Sequence, residues 1–190
     1  MVTHEALHRH RSIRLRDYDY AHAGAYFITA CTHARQCIFG EIIGGIMQLS
    51  DFGAAAQECW RAIPEHSPYV DLDAFIVMPN HVHGIVTITV GARHAVPLHN
   101  ATSVPAAFGK PLAGSLATIV GSFKSATTKR VNELRGTPAA PVWQRNYHEH
   151  VIRNDRDLDR IRQYITENPV RWADDEFNPA VGAQHAAPLR

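Results

Sequence analysis

Apolar and polar residues alternate along several short stretches of the chain, the pattern of β-strands with one buried face. Residues 25–32, AYFITACT, are rich in aromatic and β-branched residues and predict a strand. Residues 70–90 contain two alternating runs around the tripeptide MPN, which predicts two antiparallel strands joined by a Pro-Asn turn. Shorter apolar runs predict a hairpin arm at 42–47 and another strand within 142–153.

Apolar residues recur every three or four positions in three other stretches, and this period predicts amphipathic helices. The first helix is expected at about 51–63, after Ser50 as its N-cap residue. The second is expected at about 115–135, and Gly136 predicts its end. The third follows Asn154, with acidic residues in its first turn, where the helix dipole favours negative charge.

The order of these elements predicts the fold class and the domain organisation. Strand, helix, strand, strand, helix, strand, helix is typical of an α+β protein, in which helices pack on an antiparallel β-sheet. We expect a basic N-terminal arm at 1–24, one domain at 25–173 and an Ala- and Pro-rich tail at 174–190. Residues 91–114 are rich in Gly, Pro and Ala without periodicity, so they predict a loop inserted in the domain.

The composition is that of an ordinary globular chain. Its 190 residues are 45% hydrophobic and 19% charged, which argues against a disordered or fibrous protein. No run of about 18 apolar residues predicts a transmembrane helix, and no apolar run follows the basic N-terminus as in a secretory signal. The three cysteines, Cys31, Cys37 and Cys59, form no CxxC pair, so we expect reduced thiols and a cytoplasmic location.

The net charge of +1 conceals an uneven distribution along the chain. Residues 1–16 carry four arginines against one glutamate, and residues 122–162 carry nine basic against five acidic side chains. Residues 36–121 carry three basic and six acidic side chains. Two basic ends around an acidic middle can form a surface for phosphates, although charge alone equally fits a set of solvated faces.

Two histidines follow the predicted Pro-Asn turn at a spacing of two residues. Side chains two apart on a strand point to the same face, so His81 and His83 converge on one point. Neutral imidazole binds divalent metals, and two of them supply half of a coordination shell. From spacing alone, two half-exposed histidines on a polar face remain the alternative.

Tyr164 and Asn168 lie one turn apart on the last predicted helix, at the edge of its buried stripe. A tyrosine in this position can present its hydroxyl to a cleft, where a deprotonated or polarised phenol attacks phosphorus. The alternative is a tyrosine that packs its ring and exposes its hydroxyl to water. A second histidine pair, His148 and His150, has the spacing of the first and can serve a metal or phosphate groups beside Arg145.

The motifs together resemble those of a known family of DNA-processing enzymes. MPNHVHGIV resembles the histidine–hydrophobic–histidine signature of the HUH endonucleases. The chain is similar to single-tyrosine HUH transposases, and most to the REP-associated tyrosine transposase branch. The matching stretches, which span about residues 11–173, are RSIRLRDYDYAHAGAYFITACT, FIVMPNHVHGIV, VWQRNYHEHVIRNDRDL and YITENPVRW. The histidine triplet alone is a loose motif, but the ordered set is specific.

The resemblance implies roles for individual residues. His81 and His83 match the pair that binds a catalytic divalent ion, usually Mg²⁺ or Mn²⁺, although two histidines also accept Zn²⁺ or Ni²⁺. Tyr164 matches the single nucleophile. Asn168 stands at the position of the third ligand, where the insertion-sequence relatives carry Gln. Trp143 and His150 match a stretch that supports the site or the DNA, whereas His148 fills a position that is usually aromatic and receives no role.

The resemblance also implies a reaction, a partner and a fold. Single-stranded DNA folded as a hairpin from palindromic repeats is cleaved and rejoined through a covalent 5′-phosphotyrosine. The family fold is a ferredoxin-like sheet with the histidines on a central strand and the tyrosine helix alongside. The resemblance is compatible with either a monomer or a homodimer. The expected DNA contacts are Arg9, Arg11, Arg14, Arg16, Lys124, Lys129, Arg130, Arg145, His150 and Arg153.

Two other functions remain open from the residues. One is a domesticated protein that binds single-stranded hairpin DNA with little catalysis. The other is a small metal-dependent phosphoesterase that uses His81, His83, His148 and His150 and does not need Tyr164. Replacing Tyr164 by Phe separates the phosphoesterase from the transposase, because only the transposase needs the phenol.

Overall fold

A computed structural model describes residues 23–89 and 114–184. The strands are β1 Gly24–Cys31, β2 Gly40–Ile43, β3 Ile46–Leu49, β4 Val70–Met78, β5 His81–Ile88 and β6 His148–Ile152. The helices are α1 Asp51–Arg61, α2 Ile63–His66, α3 Leu116–Arg135, α4 Asp155–Glu167 and α5 Pro179–Gln184, with short 3₁₀ turns at His33–Arg35 and Trp172–Asp174.

Four of the strands form one antiparallel sheet in the order β4-β5-β1-β6. Along the chain these strands and the two longer helices between them run β1, α1, β4, β5, α3, β6. This connectivity and strand order are those of a ferredoxin-like sheet. The α+β class predicted from the sequence is therefore confirmed. The hairpin of β2 and β3 is a separate two-stranded sheet inserted between β1 and α1.

The central strand β5 is buried on both faces, because helices cover both sides of the sheet. Val82 and Val86 point towards the main core beneath α1 and α3. Ile85 belongs to a second, smaller apolar cluster on the opposite face, together with Ile161 and Ile165 of α4. Since alternate residues share a face, His81 and His83 lie on the α4 side with Ile85.

A glycine lets α1 pack directly on β5, on the face of the sheet opposite the histidines. A β-carbon at Gly84 would come within 2.2 Å of the Trp60 indole. That indole is stacked on Phe75, at 4.6 Å between ring centroids, and meets Phe123 edge-on. The glycine of MPNHVHGIV is thus explained by the close approach of a large aromatic ring.

The helix boundaries agree closely with the sequence predictions. The Ser50 and Asn154 side chains accept hydrogen bonds from Gly53 N and Asp157 N at the starts of α1 and α4. Gly136 ends α3 in the left-handed region, with φ of 63°. The first predicted helix is two residues too long, since α1 ends at Arg61 and the short α2 follows.

The strand predicted within 142–153 is shorter in the structure. Only 148–152 form β6, and the preceding residues follow an irregular path apart from a bridge between Thr32 and Trp143. The reason is packing of the Trp143 side chain. Its ring lies against Phe39 and Phe123, and its indole N–H donates to the carbonyl of Lys124 at 3.1 Å.

The expected tail is folded through Gln184. Residues 172–178 turn back over the α4 side of the sheet, and α5 follows them. Most of the expected arm at 1–24 and nearly all of the expected loop at 91–114 lie outside the described residues. Among the helices that the structure describes, none is long and apolar enough to cross a membrane.

Candidate active site

The two histidines of β5 meet at the turn that joins β4 to β5. Cys31 and Thr29 of β1 are the register partners of His81 and His83, so these four side chains share one face of the sheet. Both imidazoles are buried, and their Nε2 atoms lie 3.0 Å apart. The structure therefore brings together the two predicted ligands, with one nitrogen of each ring aimed at the same point.

Nδ1 of each ring, the nitrogen that faces away from the other histidine, has its own hydrogen-bond partner. Nδ1 of His81 lies 2.9 Å from Oδ1 of Asn80, and Nδ1 of His83 lies 2.9 Å from Oγ1 of Thr29. Burial lowers the pKa of His81 to about 3, and Arg35 adds to that effect. Burial also lowers the pKa of His83 far below its ordinary range. Both rings are consequently neutral at physiological pH, the state in which imidazole binds a metal.

Tyr164 reaches this pair from helix α4. Its hydroxyl oxygen lies 3.4 Å from Nε2 of His83, and its ring meets Phe27 edge-on. The side chain is 37% exposed, so its ring packs while its hydroxyl faces the cleft described below. Burial, with smaller contributions from the charges of Asp175 and Glu176, raises the pKa of the phenol. The phenol is therefore protonated at neutral pH.

Asn168 completes the group at the C-terminal end of α4. Its amide nitrogen donates to the Asp175 carboxylate at 3.3 Å, whereas its buried Oδ1 has no hydrogen-bond partner among the described residues. The Asn168 side chain raises the pKa of His81 and lowers that of Tyr164, because it lies beside both groups. The structure thus gathers Tyr164, His81, His83 and Asn168 in one place.

The segment at 172–178 covers the histidines, and no sequence prediction assigned it a role. The Phe177 ring lies 4.7 Å from the His81 ring, and its carbonyl accepts from the Asn80 amide at 2.7 Å. The Arg35 guanidinium lies 5.2 Å from the Phe177 ring centre and donates to the Glu176 carbonyl. The only signal in the sequence is that the acidic and aromatic run DDEF interrupts a region otherwise rich in Ala and Pro.

The donor atoms of this group fit a divalent ion. The described part of the chain holds no cluster of three or more His, Cys, Asp or Glu side chains that could bind a metal. It does hold two neutral imidazole nitrogens and, beside them, the buried amide oxygen of Asn168 that lacks a hydrogen-bond partner. Imidazole and amide oxygen are both ligands of divalent ions such as Mn²⁺, and the missing partner of Asn168 is the observation that favours such an ion.

A cleft of about 1140 Å³ opens in front of Tyr164 and His83. Its opposite wall is the stretch at 144–150, which includes Arg145, His148 and His150. Arg160 and Arg171 line it from α4 and the turn beyond. Glu149, Glu167 and Glu176 line it as well, and Arg160 and Arg171 pair with Asp157 and Glu167. The cleft is wide and open, and its cationic side chains suit the backbone of a nucleic-acid strand.

The predicted DNA contacts fall into different environments. Arg145 and His150 line the cleft, and His150 also contacts the Asp157 carboxylate at 2.9 Å. Arg153 is exposed just after β6. Lys129 and Arg130 lie on α3 and pair with Glu133 at 4.0 Å and Glu58 at 2.5 Å. Arg9, Arg11, Arg14 and Arg16 lie outside the described residues.

Lys124 was expected at the DNA, but its ammonium is bound within the protein. It donates to the carbonyls of Gln144 at 2.6 Å, Arg145 at 3.1 Å and Asn146 at 3.5 Å. Three acceptors saturate the three donors of an ammonium group. Lys124 therefore stabilises residues 144–146 in the wall of the cleft. A contact between Lys124 and a phosphate would compete with these hydrogen bonds.

Comparisons with known proteins agree with this architecture. No family model matches the chain. An uncharacterized protein of Haemophilus influenzae is 40% identical over 174 residues, which cover 90% of this chain and 94% of the relative. The solved structure of a REP-associated tyrosine transposase bound to a REP hairpin superposes with a TM-score of 0.55, at 19% identity, over 83% of this chain and 73% of that one.

A second solved structure, of a Deinococcus radiodurans protein described as a transposase, has a TM-score of 0.46 at 18% identity, over 80% of this chain and 95% of that one. At this TM-score it adds nothing to the assignment. The first superposition, however, confirms at the level of the fold the resemblance carried by the sequence motifs. The chain therefore belongs to one family with the Haemophilus influenzae protein, and its fold is that of a REP-associated tyrosine transposase.

Proposed function

We propose that the protein is a REP-associated tyrosine transposase, which cleaves and rejoins single-stranded, hairpin-forming DNA. The observation that carries the proposal is the Tyr164 hydroxyl, 3.4 Å from His83 in an open cleft bordered by cationic side chains. The fold supports it, since the structure that superposes on this chain was solved with a REP hairpin. A hairpin formed by a palindromic repeat is accordingly the substrate that we propose.

Tyr164 is the nucleophile in this mechanism. Its phenol oxygen attacks the phosphorus of a phosphodiester, the bond from phosphorus to the 3′-oxygen breaks, and the phosphate stays joined to the tyrosine on its 5′ side. The phenol loses its proton and the leaving 3′-oxygen gains one, so the proton count is unchanged. Because burial keeps the phenol protonated at neutral pH, proton loss must accompany the attack.

The reverse reaction joins strands without an external energy source. A free 3′-hydroxyl attacks the phosphotyrosine, restores a phosphodiester and releases Tyr164. The energy of the original bond is kept in the tyrosyl link, so ATP is not required. Cleavage and rejoining therefore use the same residue in opposite directions.

His81, His83 and Asn168 are the residues that would hold a divalent ion, Mg²⁺ or Mn²⁺. When bound, such an ion supplies positive charge to the scissile phosphate and so favours attack by the phenol. The protein contributes two imidazoles that burial keeps neutral, and the outer contacts of Asn80 and Thr29 hold the orientations of the rings.

The strand is held by the cationic border of the cleft. Arg145, His150 and Arg160 face the cleft within reach of a strand that passes Tyr164. Contacts of this kind read the phosphates and depend strongly on salt. The arginines expected to contact DNA at 9–16 belong to the proposal as a further contact with the hairpin. The domain limits at 25 and 173, a cytoplasmic location and a monomer or homodimer stay predictions.

A denaturing gel tests the proposal. The protein is mixed with labelled single-stranded hairpin DNA from the regions flanking its own gene, with and without Mn²⁺ or Mg²⁺. We expect a labelled band that resists SDS, requires the metal and disappears in Tyr164→Phe. As a matched control, Tyr69→Phe changes a tyrosine in front of β4, outside the cleft lining, and should leave the band intact.

Two other results would overturn the proposal. Metal-dependent cleavage that gives no covalent adduct and survives Tyr164→Phe would show a phosphoesterase. Tight binding of the hairpins without any cleavage would show a DNA-binding protein that has lost the reaction. A folded Tyr164→Phe variant that still binds the hairpin is needed for either conclusion, and a gel-shift assay supplies that check.

A further inference from the structure

We propose that Asn80 and Thr29 are positioning residues that determine which ring nitrogen of His81 and His83 carries the proton. Asn80 keeps Nε2 of His81 permanently without a proton, so that its lone pair can bind an ion. Thr29 allows His83 to move its proton from Nε2 to Nδ1, which frees the second lone pair. The inference rests on the proposed function in one respect, that the pair binds a divalent ion.

The orientation of the Asn80 amide is fixed by two carbonyl groups. Its side chain is fully buried, and Nδ2 donates to the carbonyl of Arg35 at 3.1 Å and to that of Phe177 at 2.7 Å. A flipped amide would place its oxygen against these two oxygens, where no hydrogen bond forms. Oδ1 of Asn80 must therefore face His81.

This orientation assigns the proton of His81. Oδ1 of Asn80 accepts only, so the bond of 2.9 Å to Nδ1 of His81 requires a proton on that nitrogen. A neutral imidazole carries one ring proton, and a fully buried His81 is neutral. Its Nε2 is consequently a lone pair that needs no rearrangement before it binds an ion.

The opposite assignment follows for His83 in the metal-free protein. Its Nε2 lies 3.0 Å from the lone pair of His81, and two lone pairs repel at that distance. His83 must therefore donate from Nε2, so that its Nδ1 accepts from the Thr29 hydroxyl at 2.9 Å. The two histidines are thus not equivalent, since only His81 is ready to bind.

Thr29 is the residue type that permits the change at His83. A hydroxyl donates or accepts after rotation about one bond, so it pairs with Nδ1 whether that nitrogen carries the proton or not. In the change, one N–H bond breaks at Nε2 and one forms at Nδ1, and the ring keeps a single proton throughout. A carbonyl in place of the hydroxyl would allow only one of the two states.

Two measurements test the inference, and neither depends on DNA cleavage. The first is a long-range ¹H–¹⁵N correlation spectrum of the histidine rings in metal-free protein, with His81→Gln and His83→Gln used for assignment. We expect the proton of His81 on Nδ1 and that of His83 on Nε2. On addition of diamagnetic Zn²⁺, we expect the His83 proton on Nδ1 and the His81 proton unmoved.

The second measurement is the affinity for Mn²⁺, which is monitored through the decrease of the EPR signal of the free ion. Thr29→Val keeps the shape of the side chain but removes the hydroxyl, and we expect about 10- to 100-fold weaker binding. Thr29→Ser should restore the affinity. Thr127→Val is the matched control, because it removes another buried hydroxyl, bonded to the Phe123 carbonyl at 2.9 Å in α3, and should leave Mn²⁺ affinity unchanged.

Asn80 is tested by retaining or removing its acceptor. Asn80→Asp keeps an acceptor oxygen for His81, so the His81 proton should stay on Nδ1. Asn80→Leu removes the acceptor, so the proton should be distributed between Nδ1 and Nε2 and Mn²⁺ should bind more weakly. Both variants lose the bonds to Arg35 and Phe177, and Asn80→Asp also sets an oxygen against those two carbonyls. The comparison therefore uses variants whose folded state is checked first by urea unfolding.

The outcomes separate this inference from the proposed function. Metal-free protein with the His81 proton on Nε2, or a folded Thr29→Val variant with wild-type Mn²⁺ affinity, would overturn the inference. Adduct formation through Tyr164 could still succeed in that case. Conversely, the expected ring protons and affinities without any covalent adduct would leave the inference standing and reject the transposase.

Discussion

The Tyr164 hydroxyl lies 3.4 Å from Nε2 of His83, although 81 residues separate the two along the chain. Helix α4 packs its apolar residues against the same face of β5 that carries the histidines. The contact therefore follows from the sheet order and from the buried stripe of α4. The phenol also lies close enough to the covering segment at 172–178 for the charges of Asp175 and Glu176 to act on it.

Removal of the Asp175 charge should lower the pKa of Tyr164. Burial raises the pKa of this phenol, and the Asp175 and Glu176 carboxylates raise it further because they disfavour a phenolate nearby. In Asp175→Asn, we expect the phenolate to form at lower pH in an ultraviolet titration, with Tyr164→Phe subtracted. Glu176→Gln should produce a smaller shift in the same direction. A titration curve that does not move in Asp175→Asn would contradict the proximity of that charge.

The buried histidines should make the metal-free protein less stable in acid. The pKa of His81 falls from an ordinary 6.5 in the unfolded chain to about 3 in the fold. Between these values the unfolded chain binds a proton that the folded one does not, so stability is complete above about pH 6.5 and is lost towards pH 3. Each such histidine contributes a slope of at most about 1.4 kcal/mol per pH unit.

Urea unfolding in the presence of a chelator measures this slope. We expect the free energy of unfolding to fall between about pH 7 and about pH 5, and to fall less steeply in His81→Gln. Thr127→Val is the control, since it changes a buried side chain that carries no titratable group and should keep the wild-type slope. Equal slopes in wild type and His81→Gln would argue against a neutral buried His81.

Gly84→Ala should destabilise the protein through the Trp60 ring. A β-carbon at this position lies within 2.2 Å and 2.6 Å of two indole carbons, and the stacked Phe75 keeps the ring from moving away. We expect a loss of about 1–3 kcal/mol in unfolding free energy. Gly121→Ala in α3 is the matched control, because a β-carbon there meets nothing within 4 Å. That change should stabilise the helix by about 0.5–1 kcal/mol.

Much of the fold could be predicted because its elements have clear local signals. The alternation in β1, β4 and β5 and the caps at Ser50, Asn154 and Gly136 placed most boundaries within two residues. The strand within 142–153 was overestimated because apolar residues there serve a different purpose. Trp143 packs in the core between two aromatic rings. From periodicity alone, such a core residue cannot be distinguished from a residue on the buried face of a strand.

Only part of the site could be predicted, because only part of it depends on local spacing. Spacing placed His81 and His83 on one face and Tyr164 beside Asn168, and the structure brings these residues together. Asp175 and Phe177 could not be found, because their proximity to the site depends on a chain reversal after α4 that no periodic pattern encodes. The buried bonds of Asn80 likewise depend on carbonyls distant in sequence.

Lys124 and Arg145 should separate a structural cation from a DNA contact. The Lys124 ammonium holds the carbonyls of residues 144–146, and burial lowers its pKa, whereas Arg145 faces the cleft. Lys124→Met should therefore lower the unfolding free energy by about 1–3 kcal/mol, because it leaves carbonyl acceptors unpaired. Lys129→Met, at a side chain 78% exposed, should change stability little.

Hairpin DNA binding measured over a range of salt concentrations distinguishes the two roles. If Arg145 contacts a phosphate, Arg145→Gln should reduce the slope of log binding constant against log salt by about one. Lys124→Met should weaken binding but leave the slope unchanged, because its charge already pairs with carbonyl dipoles and releases no counterion. A slope reduced equally by both changes would mean that the ammonium leaves the carbonyls when DNA binds, and Lys124 would then be a phosphate contact after all.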